Sequence, residues 1–328
     1  QSPHQLWHFD YHQGRRDVVL PDGSRHTPQL IGILDDYSRL CCHAQWYLNE
    51  SNQTLSHGHD QAFGKRGLPR EEMSDNGSAM RAEETRNGFE GLSIRHARTL
   101  EYSPYQNGKQ EVFWSTQIEG RLMPMLENVE PLTLDFLNQA TQAFVEYEYN
   151  RGLHEEIGTS PLQRALQGKS VARPCPPLQQ LHFHFPVKRK RTQRRSDGTI
   201  SIQGVRFELP NRLRTMDVVW VRYRRWDLSQ AVVVDPRDHR LPLARIFPLD
   251  KRRNADARRR VLQPVSTAPE PRRRGDPVPP LMRKLLAEYA ACGLPPAYIP
   301  LENVNDSEQP EEEDDEGAET QSAVRSET

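Results

Sequence analysis

Three stretches decide how this chain reads: Trp7–His8–Phe9–Asp10, Ser74–Asp75–Asn76–Gly77–Ser78, and Tyr102–Ser103–Pro104–Tyr105–Gln106–Asn107–Gly108–Lys109–Gln110–Glu111. In the first, polar and apolar residues alternate over Gln5–Tyr11, which reads as a strand carrying Asp10 near its end. In the second, the short strand candidate Glu71–Ser74 runs into Asp75–Asn76–Gly77, a turn signal. In the third, a run rich in Pro, Asn and Gly breaks the chain before a long helix predicted over Lys109–Leu126, with Glu111 in its opening turn. Each acid alone has an ordinary explanation: a solvated strand end, a turn former, a charge favoured at a helix start. Together they set two carboxylates at strand ends and a third at a helix start.

Outward from these stretches the chain alternates strands and helices. Leu30–Leu34 and Leu40–Leu48 are apolar runs joined by the polar turn Asp35–Asp36–Tyr37–Ser38–Arg39, after a hairpin-like loop punctuated by Gly14, Pro21, Asp22 and Gly23. Helices are predicted over Thr54–Gly64, around Ala79–Arg86 and over Leu132–Tyr149, with a strand around Leu92–Ala97. The pattern implies an α/β core over residues 1–170. Adjacent Cys41 and Cys42 point to opposite strand faces. With Cys175 and Cys292 they form neither a C-x-x-C pair nor a disulfide framework, which suits a reduced compartment. His182, His184 and Cys175 lie close in sequence, but a structural zinc site is disfavoured.

The three motifs, in order, resemble the retroviral-integrase and DDE-transposase superfamily, whose signature is two aspartates and a glutamate 35 residues beyond the second. Residues 76 to 110 supply that spacing here. Leu34–Asp35–Asp36–Tyr37–Ser38–Arg39 and Tyr149–Asn150, His154 and Gly158–Thr159–Ser160–Pro161 also match, so the resemblance covers about half of the chain. It implies a ribonuclease-H-like catalytic core in which Asp10, Asp75 and Glu111 are catalytic and hold two Mg²⁺ or Mn²⁺ ions. The physical reason is charge concentration, because paired divalent ions activate the attacking oxygen and stabilise the leaving one. The implied chemistry is DNA cleavage by water, followed by attack of the freed 3′-hydroxyl on target DNA, with no covalent protein intermediate. Asp36 and Ser38 read as turn chemistry, and Arg39 and Lys109 as DNA contacts. Retroviral relatives carry lysines one and two turns beyond the glutamate. Ser115 and Ile118 stand there in this chain, and Arg121 is the first basic residue. Trp114, Ile118, Leu122 and Met125 follow helical spacing as core or partner-facing packing.

A proline-rich linker is predicted over 171–186 and a basic, small all-β barrel over 187–250, built from Ile200–Ile202, Val205–Leu209, Val218–Tyr223, Ala231–Val234 and Leu241–Phe247. The barrel resembles that of bacteriophage Mu-like transposases, on its architecture and Gly204–Val205–Arg206–Phe207. A basic disordered linker (251–280), a short helix (281–293) and an acidic disordered tail (294–328) complete the reading. The formal charge of −1 conceals segregation: residues 188–274 carry 24 Lys and Arg against 9 Asp and Glu, whereas residues 302–328 carry one Arg against 11 acids. Such blocks suggest a polyanion-binding module followed by an acidic tail. The cations expected on DNA are Lys109, Arg121, Lys188, Arg189, Lys190, Arg191, Arg222, Arg224 and Arg225, the last three interleaved with Tyr223 and Trp226.

The expected partners are mobile-element ends, target DNA and further copies of this chain. An ATPase that selects target DNA is a further candidate, met through the C-terminal helix and tail. No run of apolar residues is long enough to span a membrane; a cytoplasmic, nucleoid-associated bacterial protein is expected. Two other readings stay open: a catalytically silent, transposase-derived DNA-binding or assembly protein, and a nuclease of the same fold.

Overall fold

The computed structural model describes residues 2–75, 77–98, 108–177, 181, 184–225, 227–239, 241–249 and 277–292. Asn76, Asn107, His182, Trp226, the basic segment up to residue 276 and the acidic tail lie outside the described residues, and with them the expectations of disorder.

In chain order the first unit comprises β1 (Leu6–Gln13), the small hairpin β2 (Val18–Val19) and β3 (Arg25–His26), β4 (Gln29–Asp35), β5 (Cys41–Tyr47), α1 (Asn52–Arg66), β6 (Glu71–Ser74), α2 (Ser78–Arg81), α3 (Glu83–Gly91) and β7 (Arg95–Arg98). Next come α4 (Gly108–Val112), which continues through the π-helical Phe113–Leu122 into α5 (Met123–Met125), then α6 (Leu134–Phe144) with a π-helical extension Val145–Tyr149, and α7 (Pro161–Gln167). The helix expected over Ala79–Arg86 is two helices, parted where Ala82 takes extended backbone (φ −55°, ψ 143°). Helix α1 starts two residues earlier than expected, because Ser51 and Thr54 cap it reciprocally.

Strands β5-β4-β1-β6-β7, in that order, form a five-stranded sheet. β1 runs antiparallel to β4, and β4 to β5, whereas β6 and β7 run parallel to β1. This is a mixed α/β fold, and helices cover both sheet faces. Side chains alternate across the strands. Trp7, Phe9, Ile31, Ile33 and Cys42 therefore pack with Leu55, Phe63 and Phe89 on one side. Leu30, Leu34, Cys41 and Trp46 pack with Trp114, Ile118, Leu122 and Phe144 on the other. The opposite placement of Cys41 and Cys42 is as expected.

Strand β5 ends the sheet, and an uncovered edge would leave backbone groups unpaired. Side chains of α6 and its extension satisfy them. Asn138 accepts from Trp46 N–H at 2.7 Å and donates to its carbonyl at 3.0 Å. Asn150 does the same for Cys41 at 2.9 and 3.0 Å, and Gln142 donates to the Ala44 carbonyl. Asn150 thus caps the edge, and the Tyr149 hydroxyl donates to the Arg39 carbonyl just before β5.

The second unit contains β8 (Val187–Thr192), β9 (Thr199–Ile202), β10 (Val205–Glu208), β11 (Val218–Arg224), β12 (Asp227–Val234) and β13 (Pro242–Ile246). A four-stranded antiparallel sheet, β13-β12-β11-β8, and the β9–β10 hairpin share one apolar core with Phe207, Val219, Val221 and Tyr223. It meets the first unit through Arg224, whose guanidinium pairs with Asp60 on α1 and donates to the Leu181 carbonyl at 2.8 Å, and through Phe185, which packs on Phe63 and Phe89.

Helix α8 (Pro280–Cys292) lies against α6. Its residues Met282, Leu285 and Tyr289, with Val278 just before it, are buried in the same core as Leu137 and Ala140. The apolar stripe expected to meet an outside partner is thus used within the chain, because α6 exposes a second apolar face away from the sheet.

Candidate active site

The parallel pairing of β1 with β6 runs Leu6 to Glu71, Trp7 to Glu72 and His8 to Met73. The same offset, carried two residues past the last of these pairs, brings Asp75, just after β6, beside Asp10. Neighbouring strands lie about 4.8 Å apart, so the two aspartates are close although 64 residues separate them in sequence. Asp10 also pairs with Gly32 on β4.

Gly32 explains how the helix that carries Glu111 approaches the sheet on the Asp10 side. A Cβ on Gly32 would stand 2.0 Å from Trp114 Cη2, so only glycine lets the helix approach the sheet this closely. Gln110 donates to the Gly32 carbonyl at 3.1 Å, and His12 stacks on Trp114 with ring centroids 5.4 Å apart. These contacts seat α4 over the Asp10 face of β1, with Glu111 exposed at the helix start.

The electrostatics record the convergence. Asp10 is pushed up to about 7, first by burial, then by the Asp75 carboxylate, and also by Glu50 and Glu111; the Tyr11 N–H, donating to Asp10 Oδ1 at 2.8 Å, opposes the rise. Glu50 is a fourth acid that no sequence motif marks. It follows β5 and precedes the Ser51 cap, and Tyr11 holds its loop by hydrogen bonds to the Ser51 carbonyl (3.2 Å) and Thr54 Oγ1 (2.7 Å). Burial and Asp75 raise its carboxyl. The position a Cβ would take on Gly77 lies 3.1 Å from Asp75 Oδ1 and 3.3 Å from Glu50 Oε1, so these oxygens border one small space. Gly77 N–H donates to Asp75 Oδ1 at 2.9 Å.

Oxygen-only donors bearing several negative charges fit a hard divalent cation. The carboxylates are not drawn to one point, however: among the described residues no three His, Cys, Asp or Glu side chains stand as a ready ligand group. Asp10 is the centre of this acidic group, with Asp75, Glu50 and Glu111 near enough to raise its carboxyl.

The expected DNA-contacting cations divide into three groups. Lys109 is tied to Asp36, which also stands 3.0 Å from His8 Nε2. Burial would raise the Asp36 carboxyl, but the hydrogen bonds from His8 and Lys109 win and hold it well below the usual range. Lys109 thus braces α4 against the β4–β5 turn. Arg39 pairs with Glu156, and Arg121 with Glu148 while lying over the Phe144 ring. Arg224 is a correction: it is only 3% exposed and clamps the two units together, so it is not available to DNA. Lys188, Arg189, Lys190 and Arg191 form strand β8 at the edge of the second sheet, beside Arg222 and Arg225. Arg189 and Lys190 are exposed, and the rest are half-buried. Tyr223 is buried, so it takes no part in the expected interleaving of cations with aromatics, and Trp226 lies outside the described residues. Trp220, which no sequence signal singled out, is the half-exposed aromatic of that sheet.

No known family matches this chain, and no curated protein does either. Among solved structures it is similar to the HTLV-2 integrase catalytic core domain in complex with magnesium, at 18% identity and a TM-score of 0.40 over 50% of this chain and 97% of that one. The BIV integrase catalytic core domain is alike at 18% identity and 0.39, over 50% of this chain and 95% of that one. The simian T-cell lymphotropic virus intasome, solved with the PP2A regulatory subunit B56 gamma, gives 15% identity and 0.44, over 75% and 77%. At such low identities and scores these likenesses add no weight to the strand order and the carboxylate geometry.

Proposed function

We propose that this chain is a DDE-type polynucleotidyl transferase, a transposase or integrase that cuts DNA and joins the cut end to a target. The observation that carries the reading is the β1–β6 register that sets Asp75 beside Asp10, a half-buried carboxyl that burial, Asp75, Glu50 and Glu111 raise to about 7. The sheet order supports a ribonuclease-H-like assignment for the first unit, and the second unit is read as the Mu-like DNA-binding barrel. Bound Mg²⁺ or Mn²⁺, held by Asp10, Asp75 and Glu111, would supply activation of the attacking oxygen and neutralisation of the leaving one.

The chain's own residues account for the rest. Asp10 and Asp75 are fixed by strand register, whereas Glu111 is fixed by the docking of Trp114 and Gln110 on Gly32. The Lys109–Asp36–His8 cluster keeps the first turn of α4 in place. Water cleaves one phosphodiester, and the released 3′-hydroxyl attacks a second in line, so no protein nucleophile is needed. Joining two ends together requires several copies on DNA, in a bacterial cytoplasm at the nucleoid. Target selection by an ATPase would fall to the outward side of α8 or to the acidic tail.

The test is a labelled duplex bearing the element's end, incubated with supercoiled plasmid and Mg²⁺ or Mn²⁺. Labelled product joined to plasmid is expected, and Asp10→Asn, Asp75→Asn and Glu111→Gln should each abolish it while DNA binding persists. Shortened strands without joining would favour the nuclease reading. Binding without either product would favour the silent one.

A further inference from the structure

We propose that His12 and Glu119 are positioning residues for Glu111, locking the helix that carries it in a wide-turned register over the Asp10 strand. His12 stands two residues beyond Asp10 on β1, so both project from the same sheet face. Its Nε2 lies 2.8 Å from Glu119 Oε1, and the Glu119 side chain is only 7% exposed. The same imidazole stacks on Trp114 with the rings 14° from parallel. One side chain of the sheet therefore touches two positions of the helix, and those positions are five residues apart.

That spacing is the register of the segment itself. Phe113–Leu122 is π-helical, and just past its end the Met123 N–H donates to the Ile118 carbonyl, five residues back. An i→i+5 turn sets Glu119 behind Trp114, where an α-helical turn would set Ile118. Ahead of Glu111 the helix is held by Lys109, paired with Asp36, which also meets His8. His8 and His12 flank Asp10, two residues to either side on β1. The two polar contacts therefore clamp the helix before and after Glu111. A surface ion pair would add little, but Glu119 is enclosed, and losing its partner would leave a buried carboxylate unsatisfied. Arg15 is no substitute: its Nε stands 3.9 Å from Glu119 Oε2, and its side chain is 76% exposed.

The proposal rests on the reading of Glu111 as a cation-holding residue, but its first measurement needs no metal. In EDTA, the full chain labelled with fluorotryptophan should give one narrow fluorine resonance for Trp114, identified by its loss in Trp114→Phe. Glu119→Ala should broaden, split or shift that line. Glu119→Gln, which keeps a hydrogen bond to His12, should restore it. Calorimetric titration of Mn²⁺ should then show about ten-fold weaker binding in Glu119→Ala, the usual effect of removing a group that orients a metal ligand, with Glu119→Gln and Arg15→Ala within about two-fold of the parent. Should Glu119→Ala unfold, Glu119→Leu, which keeps the buried volume, takes its place. A parent that takes up no Mn²⁺ would sink the reading of the carboxylate site, and the fluorine line would still judge this proposal. A Trp114 line unmoved by the loss of the Glu119 carboxylate, or Mn²⁺ affinity lost as fully in Glu119→Gln as in Glu119→Ala, would overturn it.

Discussion

Replacing Asp10 with Asn should stabilise the metal-free chain while abolishing its chemistry. In the unfolded chain the Asp10 carboxyl titrates near 3.8, whereas in the fold it is pushed up to about 7 by burial and by Asp75, Glu50 and Glu111. The folded state therefore binds more protons than the unfolded state between these values, so stability rises as pH falls from above 7 toward 4. At about pH 8 the fold holds a charge that its surroundings resist, with a ceiling of about 4 kcal/mol on the cost. Relaxation and water entry at a partly open site reduce this to about 1–2 kcal/mol. Asparagine keeps the shape, and its Oδ1 still accepts from Tyr11 N–H. Urea unfolding in EDTA should show Asp10→Asn more stable by that amount at about pH 8, with the difference shrinking near pH 5. Saturating Mg²⁺ should reverse the order. A variant less stable than the parent at both pH values, or a difference independent of pH, would refute the carboxylate crowding inferred for this site.

Other perturbations probe how the site is supported. Gly32→Ala drives a methyl into Trp114, so a loss of about 1–3 kcal/mol by denaturant titration is expected, along with weakened metal binding as Glu111 shifts. Asp60→Ala leaves the Arg224 guanidinium buried without its carboxylate, at a cost of about 3–5 kcal/mol. Faster proteolytic cleavage over residues 171–186 should report the loosened junction, and Asp60→Leu with Arg224→Met should restore resistance. Leu285→Ala should lower core stability by about 2–5 kcal/mol. An unchanged melting curve would mean that α8 does not dock on α6 in solution.

Much of the first unit is legible in the residues. Asp75 announces itself as a strand-end acid, whereas Asp10, expected at a strand end, lies inside β1, which pairs with β4 through Gln13; Cys41–Cys42 alternates as a strand must. Glu50 is silent because an acid before a helix cap is an ordinary surface residue; only the fold brings it to Asp75. Gly32 looks like any strand glycine until Trp114 is seen above it. Strand β8 is hidden because four consecutive cations erase the apolar alternation that marks a strand, and pairing with β11 supplies the order instead. Arg224 reads as a DNA contact because its neighbours are cations, and only tertiary docking shows that Asp60 covers it. The apolar stripe of α8 was visible as well, but a stripe does not name the surface that it meets.

The most direct test of the central claim is calorimetric titration of Mg²⁺ or Mn²⁺ into the full chain with DNA present, compared with Glu111→Gln. It needs no knowledge of the element's terminal sequences. Saturable binding that Glu111→Gln weakens at least ten-fold is the predicted result. Binding that is absent, or untouched by the loss of Glu111, would contradict a site assembled from Asp10, Asp75 and Glu111.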